Sequence, residues 1–259
     1  MTKQSGRKRG SSQGHGSPGG TRRPFYVALV AVAVAGIGFL IFARGDHGDS
    51  AANRPLPAWA RDVKADPAAG VSVGPEDAPV TIMEFADYQC PHCAEFSAVT
   101  GRMIRQNYAE GAGLVRWVMF DYPLGSFPNS VPAALAARCA GAQGAYWPMH
   151  DMLLGRQARW GFSRSPEKKF EEFAEQLGLD RGKFKQCLKD RTYLQQVLGA
   201  RGYGDQLGVQ ATPTVFLNGR RLSAQEMAYD PLEKLIRAAA DSARARDEGH
   251  PAAGDTEGR

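Results

Sequence analysis

The chain has 259 residues, 43% of them apolar, enough for one or two domains with a buried core. Its formal charge of +5 reflects 32 basic and 27 acidic residues. Six of the basic ones (Lys3, Arg7, Lys8, Arg9, Arg22 and Arg23) fall in the first 23 positions; the other 26 nearly balance the acids, so nothing points to a basic face for nucleic acid.

In chain order, residues 1–23 are Gly, Ser and basic residues without periodicity, and read as a disordered cytoplasmic tail. Phe25 to Ala43 is an uninterrupted apolar run of about 19 residues, long enough to span a bilayer. The Lys and Arg excess before it places the N-terminus in the cytoplasm and the rest of the chain outside. A cleaved signal peptide is the rival reading, given the small residues Ser50-Ala51-Ala52. The apolar run exceeds a usual signal core, which favours an uncleaved anchor over 24–43. Either way the cysteines face an oxidising compartment. Residues 44–70 read as a linker rich in Ala, Pro, Gly and Asp.

The folded part is expected over 71–245, followed by a flexible tail at 246–259. Val71-Ser72-Val73 fits a short edge strand, and Val80 to Ala86 a buried strand. A helix is expected over 91–109, and a second main strand over Leu114 to Phe120. From 129 to 200 the pattern is helical, with stretches at 131–140, 146–154, 167–177, 181–189 and 192–207. Val215-Phe216-Leu217 is a strand, Asn218-Gly219 a hairpin turn, and 231–243 an amphipathic helix. A helical insertion, about 128–207, into a small α/β unit explains this order, because the flanking strands lack partners on their own.

The chemistry centres on Cys90-Pro91-His92-Cys93, between the first main strand and its helix. At a helix N-terminus unpaired N–H groups and the helix dipole favour a thiolate, so Cys90 is the expected exposed nucleophile. Pro91 fits the first helical turn, where its missing N–H costs nothing. A structural disulfide across so short a loop would remove little unfolded-state entropy. A zinc site would need two further ligands at matching spacing, and none is found. His92 is a solvated polar residue or, when charged, a group that stabilises the thiolate. Glu84, six residues before Cys90, faces solvent on a strand edge or is a buried acid, with Arg116 as a candidate companion charge. Tyr146, Trp147, Met149 and His150 read as helical core or as residues lining a groove.

The stretch Glu84-Phe85-Ala86-Asp87-Tyr88-Gln89-Cys90-Pro91-His92-Cys93 closely resembles the active-site segment of DsbA-like thiol–disulfide oxidoreductases of the thioredoxin superfamily. Phe120 to Leu124, Cys139 to Asp151 and Gly208 to Thr214 continue the resemblance in the family's order, over roughly 72–240. It implies a thioredoxin fold with an inserted all-helical domain, here preceded by one N-terminal transmembrane helix. It implies a cis bond before Pro213, so that the Thr212 backbone lies beside Cys90 and pairs with an extended substrate. It also implies that Glu84 is the buried acid relaying a proton to or from Cys93. Cys139 and Cys187, 48 residues apart, are free core thiols or a pair; in an oxidising compartment they are expected to bridge, as in some relatives. The implied activity is disulfide formation in exported proteins with free thiols, through the Cys90–Cys93 disulfide and with no other cofactor or metal. The implied reoxidant is a membrane quinone reductase of the DsbB or VKOR type, reached through the anchor at 25–43. A reductase or isomerase on the same fold and a non-catalytic peptide-binding chaperone are the alternatives.

Overall fold

The computed structural model describes residues 64–249. The expected tail at 1–23, the anchor at 24–43, most of the linker and residues 250–259 lie outside the described residues. Among the described residues no helix is long and apolar enough to cross a membrane.

Five strands form one sheet: β1 (Val71–Val73), β2 (Val80–Ala86), β3 (Val115–Asp121), β4 (Thr214–Leu217) and β5 (Arg220–Arg221), in the order β1-β3-β2-β4-β5. β2 is central, parallel to β3 and antiparallel to β4. A central strand covered on both faces must be apolar almost throughout, and Val-Thr-Ile-Met-Glu-Phe-Ala is, apart from Thr81 and Glu84. β1 pairs antiparallel with β3 at one edge. At the other edge Asn218 and Gly219 take positive φ, as a tight hairpin requires. The Asn218 side chain also accepts the Thr81 N–H at 2.7 Å, fixing the turn to the central strand.

On one face Val80, Ile82, Trp117 and Val215 pack against Ile104 and Tyr108 of a helical run, α1 (91–111). Leu232, Ile236 and Ala240 of the last helix, α7 (Tyr229–Gly249), complete that layer. α1 departs from the regular helix expected from sequence. It starts as α-helix at Pro91–Phe96 and passes through π-helical turns at Ser97–Gly101 and Arg105–Gly111.

Five helices lie between β3 and β4: α2 (Ser130–Gly141), α3 (Tyr146–Gly155), α4 (Pro166–Gln176), α5 (Arg181–Asp190) and α6 (Leu194–Gln206). Trp160, Phe170, Phe173, Phe184, Met149 and Leu153 fill their core. A disulfide joins Cys139 of α2 to Cys187 of α5. α6 has a second role: Ala200 and Tyr203 cover the other sheet face, where Phe85 and Phe120 stack at 4.8 Å. Its close approach depends on Gly204, since a Cβ there would lie 2.7 Å from a Tyr122 ring carbon and 2.9 Å from one of Phe85. The helical block is therefore anchored to the sheet that presents the cysteines.

Candidate active site

β2 ends at Ala86, and the chain turns through Asp87, Tyr88 and Gln89 into α1. Cys90 occupies the N-cap in extended conformation, with Pro91 in the first turn. The Cys93 and Ala94 N–H groups both donate to the Cys90 carbonyl, at 3.2 Å, closing that turn. Cys90 and Cys93 are both free thiols here. Cys90 is more covered than a sulfur expected to be exposed, with only 4% of the residue accessible, and Cys93 is fully enclosed.

The two sulfurs have opposite environments. A hydrogen bond from Cys93 is the main cause holding the Cys90 thiol down at about 5 against the opposition of burial. The Thr212 side chain and the backbone N–H groups of Cys93 and His92 add to it. Burial pushes Cys93 well above the usual thiol range. The Asp87 N–H donates to Cys93 Sγ at 3.5 Å. On the opposite flank the Thr212–Pro213 bond is cis, and Cys90 Sγ lies 3.4 Å from the Thr212 carbonyl oxygen, to which it donates only when protonated. This brings the backbone before β4 against the Cys90 sulfur.

The remaining expected site residues divide. The His92 side chain is 79% exposed and lies 3.8 Å from Glu95, so it faces solvent and a carboxylate; its main-chain N–H supports Cys90. Glu84 is buried, which removes the solvent-facing reading, and it accepts from Trp117 Nε1 at 3.1 Å. Arg116 is not its companion. β2 pairs with β3 so that Ile82 aligns with Trp117 and Thr81 with Arg116, which puts Glu84 and Trp117 on one face and Arg116 on the other. Arg105 supplies the nearby positive charge, yet burial dominates and pushes Glu84 up to about 7. A carboxyl that binds its proton more tightly when folded adds stability below the ordinary carboxylate range and loses that contribution as pH rises through about 7. Tyr146, Met149 and His150 are core, and Trp147 lies under the Arg105 guanidinium at 4.6 Å. His150 is held neutral by burial and by Arg105 and Arg102, and its Nδ1 meets the Tyr88 hydroxyl at 3.1 Å.

Asp87 has no assigned role in the sequence reading. It is buried, and its Oδ1 accepts from the Gln89 N–H at 2.7 Å and the Ser130 hydroxyl at 2.5 Å. Its Oδ2 accepts from the Leu124 N–H at 2.7 Å. One carboxylate thus ties the cysteine turn to the segment after β3 and to the start of α2. Burial, opposed by these hydrogen bonds, pushes Asp87 up to about 7. The one sequence signal was an acid directly between an apolar strand and the dithiol.

A sheet of this order, a dithiol at the start of a helix and a cis-proline beside the first sulfur define the thioredoxin class of fold. The thioredoxin family model matches residues 67–238, and the chain belongs to that family, with helices inserted between β3 and β4. It is similar in fold to BdbD of Bacillus subtilis, with 23% identity, a TM-score of 0.61, and coverage of 69% of this chain and 96% of that one. It is 22% identical over 148 residues to a protein of Rickettsia bellii named as a protein-disulfide oxidoreductase, covering 57% of this chain and 56% of that relative. It is 35% identical over 188 residues to part of a Na(+)/H(+) antiporter, NhaA 3, of Salinispora tropica. That match covers 72% of this chain, which spans only 27% of the antiporter's length.

Proposed function

We propose that the chain is a thiol:disulfide oxidoreductase, anchored in the cell membrane through residues 25–43, that forms disulfides in exported proteins on the periplasmic or extracytoplasmic side. The observation that carries this reading is the asymmetry of the dithiol: a covered Cys93 beside a Cys90 held as thiolate next to the Thr212 backbone. A pair built in this way releases Cys90 readily and keeps Cys93 protonated, as a disulfide donor requires.

In the oxidised enzyme a client thiolate attacks Cys90 Sγ. The Cys90–Cys93 bond breaks, and the departing Cys93 sulfur takes a proton. Glu84, raised toward neutrality and with one oxygen lacking a protein partner, fits that donor role. A second client thiolate then attacks the client sulfur of the mixed disulfide, and Cys90 leaves as a thiolate. The client loses two electrons and gains a disulfide, while the enzyme gains two thiols. A membrane quinone reductase of the DsbB or VKOR type accepts those electrons, and tethering both proteins in one membrane raises their effective concentration. The enzyme needs no cofactor beyond its own disulfide. Thr212 and Pro213 hold the client as an added strand. The bridge between Cys139 and Cys187 takes no part in exchange. The transport activity of the antiporter relatives is not carried over, since this chain matches about a quarter of their length.

The test is a redox titration of the full-length chain against glutathione, with thiol trapping. A thiolate-stabilised Cys90 favours the reduced form, so the expected potential lies well above about −270 mV, the thioredoxin value, and toward about −120 mV, the DsbA value. A potential at or below the thioredoxin value would instead support a reductase.

A further inference from the structure

Exchange places charge on each sulfur in turn. When a client attacks the oxidised pair at Cys90, the electron pair of the broken bond lands on Cys93 Sγ, which is fully enclosed. The main-chain N–H of Asp87 donates to that sulfur at 3.5 Å. With the Thr212 side chain, it favours charge there against burial and the neighbouring Cys90.

The aim of that N–H is fixed from both sides of residue 87. A peptide unit is planar, so anchoring its carbonyl directs the N–H on the far side. The carbonyl of this unit, on Ala86, accepts from the Tyr122 N–H at 2.8 Å. Beyond the N–H, the Asp87 carboxylate accepts from Leu124 N–H on one oxygen, and from Gln89 N–H and the Ser130 hydroxyl on the other. The Asp87 carbonyl accepts from the Cys90 N–H at 3.1 Å. Tyr122, Leu124 and Ser130 all lie on the stretch that runs from the end of β3 into α2, so one neighbouring segment grips both the peptide and the side chain. A carboxylate suits this position because it only accepts; an amide of the same shape would turn its NH2 toward a donor.

Resting on the function proposed above, we propose that Asp87 is a positioning residue for the leaving sulfur: its side chain holds the Asp87 N–H on Cys93 Sγ, where it stabilises the negative charge that develops during client attack. In that step the client sulfur bonds to Cys90 Sγ, and the Cys90–Cys93 bond breaks. Its electron pair stays on Cys93, which the Asp87 N–H meets before a proton arrives. A donor fixed in advance at a site of developing charge needs no reorganisation when the charge appears.

The experiment follows single-turnover reduction of the oxidised full-length chain by dithiothreitol, with acid quench and thiol trapping, in wild type, Asp87→Asn and Ser130→Ala. Asp87→Asn should slow reduction about tenfold, the low end for losing a hydrogen bond to a charged group. Ser130→Ala removes one of the three donors and leaves the carboxylate, so it should slow reduction about threefold. Iodoacetamide alkylation of Cys90 in the reduced chain separates this role from a loosened turn. Its rate at neutral pH should match wild type in both variants, because Cys93 is not a leaving group in that reaction. Reduction of Asp87→Asn at the wild-type rate would overturn the assignment, as would a slowing matched by slower Cys90 alkylation. If Asp87→Asn does not fold, Ser130→Ala decides by the same two rates, and reduction at the wild-type rate would overturn the assignment. A wild-type Cys90–Cys93 disulfide that dithiothreitol does not reduce would overturn the exchange function itself.

Discussion

Cys90→Ser is expected to abolish oxidation of reduced client protein, with a loss of roughly a thousandfold or more, as is usual when a covalent nucleophile is removed. The serine hydroxyl cannot form the bond on which exchange depends, and the cis-proline flank and helix start are left in place. Cys93→Ser should behave differently. Its Cys90 thiolate still attacks disulfides, but no partner resolves the product, so a mixed disulfide with glutathione or client should accumulate. Mass spectrometry of the two variants after incubation with oxidised glutathione separates these outcomes. A Cys90→Ser variant with more than a tenth of wild-type turnover would show that position 90 is not the nucleophile. Adduct on Cys93 rather than Cys90 would reverse the assigned order of attack.

The second large effect concerns stability. Cys139 and Cys187 close a loop of 48 residues between α2 and α5. The double replacement Cys139→Ala/Cys187→Ala should cost about 4 kcal/mol, the chain-entropy value for a loop of that length. Replacing both cysteines avoids leaving a free thiol that could enter exchange with Cys90. Urea denaturation should show a lower midpoint, and turnover per folded molecule should be unchanged because the bridge lies in the helical block. A loss under about 1 kcal/mol would mean that packing of Phe170, Phe173 and Phe184 already holds those helices together. A loss of turnover in the folded double variant would mean that the bridge contributes to exchange.

The parts of the fold that were legible in sequence are those set by local pattern. The apolar run of β2, the dithiol after it and Pro91 in the first turn mark the strand-to-helix junction without any structure. Asn218-Gly219 marks the hairpin for a similarly local reason. The partner of Glu84 was not legible, because the choice between Trp117 and Arg116 depends on a register between two strands more than 30 residues apart. Asp87 escaped for the same reason. Its ligands Leu124 and Ser130 are 37 and 43 residues downstream, and only the fold brings them to it. The π-helical turns of α1 carry no sequence mark comparable to a proline or a glycine pair. Covering of Cys90 was likewise set by tertiary packing, although its place at the helix start was read from four residues.

At neutral pH Cys90 is expected to be an anion and Cys93 to keep its proton. The direct measurement is the rate of iodoacetamide alkylation of the reduced full-length chain between pH 3 and 10, with the modified residue located by mass spectrometry. The expected midpoint for Cys90 is near 5, with reactivity falling only as pH drops through that value, and no comparable modification of Cys93. A midpoint near the ordinary thiol value of about 8.5 would contradict it, as would equal reactivity at both cysteines.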